Sequence, residues 1–110
     1  MSQTAQLQKQ IITEGQGPNC PLGVTAVVHY TGKFPNGQVF DSSVNRGTPF
    51  EFQVGAQQVI RGWDLGVASM KQGEKCLLLC PPEYAYGASP VGSIPPNSTL
   101  IFEIELLGWK

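Results

Sequence analysis

The chain predicts an α+β fold, an antiparallel sheet packed on one short helix. Three observations carry this. Glycine (13) and proline (9) are frequent in a chain of 110 residues and follow no repeat, which favours tight turns and short strands over helices. Several segments alternate apolar and polar residues with period two, as half-buried strands do. Only the segment between Gly55 and Gly73 carries apolar residues at helical spacing.

Taken in order, residues 1–10 are polar and Gln-rich and are expected to be a frayed, flexible lead-in to a short strand at Ile11–Thr13. Gly15 to Gly23, with Pro18 and Pro21, is expected to be a loop. From Val24 to Thr31 a β-branched run places Val24, Ala26, Val28 and Tyr30 on one face, so Tyr30 points where the core lies. Asn36-Gly37 is a strong hairpin signal that returns the chain into Val39-Phe40-Asp41. Thr48 to Val54 is a further extended piece with Phe50, Phe52 and Val54 on one side. In the helical segment Ile60, Trp63, Val67 and Met70 share a face, and Gly73 is the expected stop. Gly62 and Gly66 each weaken this helix by about 1 kcal/mol relative to Ala, so it needs a sheet to lie on. Two strands supply that sheet: Glu74–Cys80, with Cys76, Leu78 and Cys80 inward, and Thr99–Leu107, with Leu100, Phe102, Ile104 and Leu106 inward. Pro81 to Ser98, between them, is a long proline-rich loop.

Length and composition bound the function classes. One hundred and ten residues make a single domain, and 41% apolar against 14% charged residues describe a chain that folds rather than one that stays disordered. A net charge of −1 excludes a basic nucleic-acid footprint. No apolar run approaches the roughly 18 residues of a membrane span, and the first residues lack the pattern of a signal peptide, so a monomer in the cytoplasm, with the nucleus also accessible, is the expectation. Three cysteines, an odd number, fit reduced thiols better than a disulfide framework.

Familiar catalytic chemistry fails on spacing. Cys76 and Cys80, four apart on a strand, stand about 13 Å apart at ~3.3 Å per residue, too far for a disulfide or a shared zinc, and read as core residues. Cys20 lies in a loop that leaves room for exposure, with a redox or crosslinking site as its minor reading. The single histidine, His29, faces away from Tyr30's side of the strand, and no triad assembles around it. No phosphate-binding glycine loop or cofactor motif occurs, so neither metal nor cofactor is expected. What remains is a set of aromatic residues at element ends, Tyr30, Phe40, Phe50, Trp63, Tyr84, Tyr86 and Phe102, which suggests an apolar cup with the Tyr30 and Tyr86 hydroxyls at its rim. Asp41, next to Phe40, needs a partner in such surroundings, and Arg46 is the economical choice.

The runs Val28-His29-Tyr30-Thr31-Gly32, Phe40-Asp41-Ser42-Ser43, Val59-Ile60-Arg61-Gly62-Trp63-Asp64, Tyr84-Ala85-Tyr86-Gly87 and Ile94-Pro95-Pro96-Asn97 resemble the FKBP-type peptidyl-prolyl cis/trans isomerases, in order and over nearly the whole chain from about residue 11. The resemblance implies a half-open antiparallel sheet wrapped around the helix. It also implies acceleration of rotation about X-Pro bonds in a pocket shared with tacrolimus and rapamycin. The residues it assigns to catalysis are Tyr30, Phe40, Asp41, Trp63, Tyr86 and Phe102, with Trp63 as floor and Tyr86 as hydroxyl donor. Ligand binding adds Phe50, Val59 and Ile60, whose N–H is a second donor, Gln58 through its carbonyl, Arg46 as the partner of Asp41, and Ile94 as a flap over the prolyl ring. Implied partners are proline-containing peptides and proteins, the two macrolides, and calcineurin or the TOR kinase through bound drug. Ala88 to Ile94 is one residue shorter than in the human cytosolic single-domain type, which bears on the residue preferred before proline and on drug-mediated partners. The competing function is a non-catalytic docking module for proline segments that regulates a partner. Leu77 and Leu79, with Val27, Ile101 and Leu107 on the outer sheet face, are the candidate contact surface.

Overall fold

In the computed structural model, which describes residues 6–110, the sheet is organised around one long strand, Thr25–Lys33 (β3). Before it come Gln8–Thr13 (β1) and Gln16–Asn19 (β2). After it come Val39–Ser42 (β4), the single helical turn Ser43–Arg46 (α1), Phe50–Gln53 (β5) and the main helix Arg61–Ala68 (α2). The chain then runs through Lys71–Gln72 (β6), Lys75–Cys80 (β7), a 3₁₀ turn at Pro82–Tyr84 and Leu100–Trp109 (β8). The main sheet has the order β1-β7-β8-β3-β4, with every pair antiparallel. On the far side of β3 from β8, β5 pairs with Thr25–Val28 and β4 with Thr31–Lys33. The edge of β3 is therefore split at His29 and Tyr30, where α1 intervenes.

Alternation decides which residues line the core. Along β3, Ala26, Val28 and Tyr30 are buried, and along β8 Leu100, Phe102, Ile104 and Leu106 are buried, each separated by a half-buried residue. Cys76, Leu78 and Cys80 of β7 are fully buried as free cysteines, with burial pushing the Cys76 thiol up to about 11 and Cys80 to about 12. The outward residues of β7 and β8 are not a continuous apolar face. Leu77 and Leu79 are half-buried, and the Lys75–Glu103 ion pair (3.2 Å) lies among them.

Helix α2 lies on β7, and its glycines set how closely. A Cβ at Gly66 would stand 2.8 Å from Leu78 Cδ2, and one at Gly62 would stand 2.6 Å from Cys80 Sγ and 3.1 Å from the Tyr84 carbonyl oxygen. The two residues that weaken the helix in isolation are thus those that let it approach the sheet. Gly62→Ala is expected to lower stability by about 1–2 kcal/mol, overpacking outweighing the propensity gain. A melting temperature lower by roughly 5–10 °C would report this; a rise would mean that the contact relaxes freely.

Several elements depart from the sequence-based expectation. Gln8, Lys9 and Gln10, read as frayed lead-in, pair with β7 through Leu79, Leu78 and Leu77; residues 1–5 lie outside the described residues. Part of the Gly15–Gly23 segment is not loop but β2, a polar strand that pairs with β6. The helix ends at Ala68 with Ser69 as its C-cap, because Met70 turns into the core; Gly73, at φ 85°, serves the following turn. α1 was not anticipated: Ser42 caps it by accepting from Asn45 N–H, and Gly47 closes it in the left-handed conformation (φ 73°). Cys20 is buried at 3% exposure rather than accessible, and that burial raises its thiol pKa.

Lys9 explains why β1 begins early. Its ammonium donates to a carboxylate oxygen of Glu74 at 2.8 Å and to the Ser69 carbonyl at 3.0 Å, tying β1 to the end of the helix region. Glu74 is 3% exposed, and its second oxygen accepts from the Lys71 N–H at 3.2 Å. Among the described residues no helix is long and apolar enough to cross a membrane.

Candidate functional site

A cavity of about 190 Å³ opens between the start of α2 and the sheet. Trp63, on the first turn of α2, forms its base, held edge-to-face against Tyr30 (centroids 4.8 Å), Phe102 (5.3 Å) and Phe50 (5.7 Å). Edge-to-face pairs set the positive ring edge on a negative ring face, worth ~0.5–1.5 kcal/mol each, so the walls are held in place with no ligand present. Phe40 adds a further wall, edge-on to Phe102 at 5.8 Å. The buried Trp63 indole N–H has no hydrogen-bond acceptor among the described residues. Val59 and Ile60 close the side next to the helix, and Tyr86 comes in from the proline-rich loop, 37% exposed.

One polar cluster stands at the rim. The Tyr30 hydroxyl donates to Asp41 Oδ2 at 2.5 Å and accepts from Arg46 Nη2 at 2.9 Å, while Arg46 Nη1 pairs with Asp41 Oδ1. Burial pushes the Asp41 carboxyl up. The Tyr30 hydroxyl, the Arg46 guanidinium and the Ser42 N–H outweigh it, and the net pKa lies below the ordinary carboxylate range. Burial, aided by the Asp41 charge, raises both the Tyr30 and Tyr86 phenols, so both are neutral at physiological pH. A carboxyl whose pKa is lower folded than unfolded contributes its stabilisation fully above the unfolded value, about 3.9, and loses it as pH falls through the folded value. The stability contributed by Asp41 is therefore expected to be constant above about pH 5 and to fall only below about pH 4. Titrating the urea midpoint together with Trp fluorescence checks this, and a loss centred near pH 6 would contradict it.

Ser43 fills the gap in the β3 edge. Fully buried, its hydroxyl accepts from the Tyr30 N–H (2.8 Å), donates to the Tyr30 carbonyl (3.3 Å) and lies 2.9 Å from His29 Nδ1. One side chain replaces the strand partner that β3 lacks at this point, and it fixes the backbone of the residue that carries the rim phenol.

Residues 18–107 match the FKBP-type peptidyl-prolyl cis-trans isomerase family. The chain belongs to that family. It is 52% identical over 103 residues to peptidyl-prolyl cis-trans isomerase FKBP1A of Xenopus laevis, covering 92% of this chain and 95% of that one. It is 54% identical over 105 residues to FK506-binding protein 59 of Drosophila melanogaster, covering 93% of this chain but 24% of the fly protein, so it spans about a quarter of that relative's length. The crystal structure of AtFKBP13 superposes with a TM-score of 0.90 at 41% identity, covering 94% of this chain and 93% of that one.

Of the residues expected to form an FKBP site, the structure brings Tyr30, Phe40, Asp41, Phe50, Gln58, Val59, Ile60, Trp63, Tyr86 and Phe102 to one cavity. Arg46 stands behind Asp41 rather than on the lining. Ile94 is not a lining residue either: it is 7% exposed, packed into the core, and bridged to Val91 by two backbone hydrogen bonds (2.8 and 3.0 Å) across Gly92-Ser93. The Gln58 side chain turns back to accept from the Gln53 N–H at 2.9 Å. Tyr84 packs beneath Arg61, whose guanidinium lies 4.9 Å from its ring centroid.

Two residues that shape the cavity without lining it carried no assigned role in the sequence reading, although both stand in its motif runs. Ser43 is one. Gly32 is the other: a Cβ there would stand 2.6 Å from Phe40 Cζ and 3.0 Å from Phe102 Cε1, so its lack of a side chain lets the two rings meet. Its position within a strand, where glycine is unfavourable, was the signal available.

Proposed function

We propose that the chain is a peptidyl-prolyl cis/trans isomerase acting in the Trp63 cavity, and that tacrolimus and rapamycin occupy the same cavity. The observation that supports this best is a pre-formed aromatic cup whose polar groups lie only at its rim. Rotation about an X-Pro amide faces a barrier of about 18–20 kcal/mol set by resonance, and no bond breaks. The planar amide is the more dipolar form and is favoured by hydrogen bonding to water. Moving it against Trp63, Phe40 and Phe102 removes that water and favours the twisted form. The prolyl ring rests on Trp63. Tyr30's hydroxyl is engaged by Asp41 and Arg46, so Tyr86 is the phenol that serves a substrate carbonyl. The Ile60 N–H, ahead of a helix start with no side-chain cap, is the second donor. Together they hold the flanking backbone in a turned geometry while the amide rotates.

Exchange NMR on a Leu-Pro peptide, with and without rapamycin, tests this directly. Acceleration that an equimolar amount of the macrolide abolishes is expected. Binding without acceleration would leave a docking module for proline segments in its place. Tyr86→Phe is expected to weaken carbonyl-bearing ligands about fivefold, from loss of one hydrogen bond worth roughly 1 kcal/mol, with an unchanged melt. Unaltered macrolide affinity in this variant would remove the donor role.

A further inference from the structure

The aromatic cavity continues into a second, wider groove of about 680 Å³ on the other side of the Val59-Ile60 ridge. The two share Gln58, Val59, Ile60 and Tyr86, so the groove begins where the aromatic cavity ends and lies next to any chain seated on Trp63. Leu22 and Leu65 line it, at 72% and 48% exposure. They come from elements far apart in sequence, the turn before β3 and the outer side of α2, and neither belongs to the core.

Of the two charged residues of this groove, Asp64 is hydrogen-bonded within the protein and the exposed Arg61 packs on a ring. The Asp64 carboxylate accepts from the N–H groups of Gly55 and Gln57, each at 3.0 Å, and so holds the loop that carries Gln57 at φ 61°. Arg61 lies over the Tyr84 ring. What the groove offers a visitor is apolar surface, and an aliphatic side chain is the group that gains by covering it.

We propose that Leu22 and Leu65 form an accessory subsite that selects substrates bearing an aliphatic residue within three positions of the X-Pro bond. The inference rests on the isomerase reading, since the occupant is the same peptide whose proline fills the aromatic cavity. Beyond the turned backbone at the X-Pro bond, each residue that runs extended advances the chain by about 3.3 Å, which brings side chains two or three positions away to the Val59-Ile60 ridge. The subsite makes this chain discriminate among proline segments by their flanks as well as by the residue before proline.

A Leu-Pro octapeptide with serine at all flanking positions, and a set with leucine at each flanking position in turn, test this in the wild-type chain and in a Leu22→Ser, Leu65→Ser double variant. The quantity read is the ratio of kcat/KM for each leucine peptide to that for the serine peptide, together with the matching ratio of Kd. At one or more positions the wild-type ratio is expected to reach about tenfold, and in the double variant to fall below twofold. Leu22→Lys is expected to shift the preference at that position from leucine to glutamate. No leucine preference at any position, or an equal preference in both proteins, overturns the proposal. A wild-type chain that binds the peptides without isomerising them overturns the isomerase reading instead, and the Kd ratios then decide the subsite by the same criterion.

Discussion

Trp63→Ala is expected to reduce kcat/KM about hundredfold, close to 2.7 kcal/mol of lost transition-state stabilisation at 1.36 kcal/mol per factor of ten. The indole touches the edges or faces of Tyr30, Phe50, Phe52 and Phe102, so its removal takes away the base of the cavity and the one ring that contacts all three of the walls Tyr30, Phe50 and Phe102. Deleting a buried Trp side chain also costs about 3–5 kcal/mol of stability, a large part of the 5–15 kcal/mol of a typical fold. The two effects separate by experiment. Exchange NMR at low temperature reads activity while circular dichroism reads the folded fraction, and Trp63→Phe keeps a ring at lower structural cost. A folded Trp63→Ala chain with wild-type kcat/KM would show that the prolyl ring does not rest there.

Lys9→Ala is expected to be among the most destabilising substitutions outside the cavity, by about 3–5 kcal/mol, because it leaves the Glu74 carboxylate buried without its counter-charge. The Lys71 N–H still serves one oxygen of Glu74, but a single neutral donor does not replace an ammonium. Lys9 also releases the Ser69 carbonyl, so the loss falls on the junction of β1, the end of α2 and the start of β7. The double variant Lys9→Met, Glu74→Met is the control. Replacing both charges with apolar chains of similar volume is expected to recover most of the loss, since the penalty comes from the orphaned charge rather than from the absent pair. Urea unfolding of the three proteins measures this, and a Lys9→Ala midpoint within error of wild type would show that water reaches Glu74 freely.

Sequence reasoning located β3, β5, β7 and β8 by the period-two alternation that the core imposes on a strand with one buried face, and β4 by the Asn36-Gly37 turn before it. β2 and β6 escaped it because Gln16–Asn19 and Lys71–Gln72 are exposed throughout; their pairing is a matter of backbone hydrogen bonds, which leave no trace in side-chain pattern. The upstream part of β1 escaped it for the same reason, together with a polar pair, Lys9 and Glu74, separated widely in the chain. α1 has only four residues, too few for a helical period to appear. At the site, the aromatic residues were legible as a group because so many rings at element ends are unusual, and the family motifs placed them. Ser43 and Gly32 were not legible as site residues, because one acts through the backbone of Tyr30 and the other through the absence of a side chain.

The position of β8 has a consequence for how the protein comes to exist. The last strand in the chain lies between β7 and β3, pairing with one along Lys75–Cys80 and with the other along Ala26–Lys33. A nascent chain that has emerged only as far as Ser98 holds both flanking strands, the helix and most of the cavity wall, yet has nothing to join them. Synthesis therefore exposes two unpaired strand edges until residues 100–109 arrive, and closure then requires contacts across some 75 residues of chain, a topology associated with folding in milliseconds to seconds rather than microseconds. A member of the prolyl isomerase family thus carries, during its own synthesis, open sheet edges of the kind that need shielding.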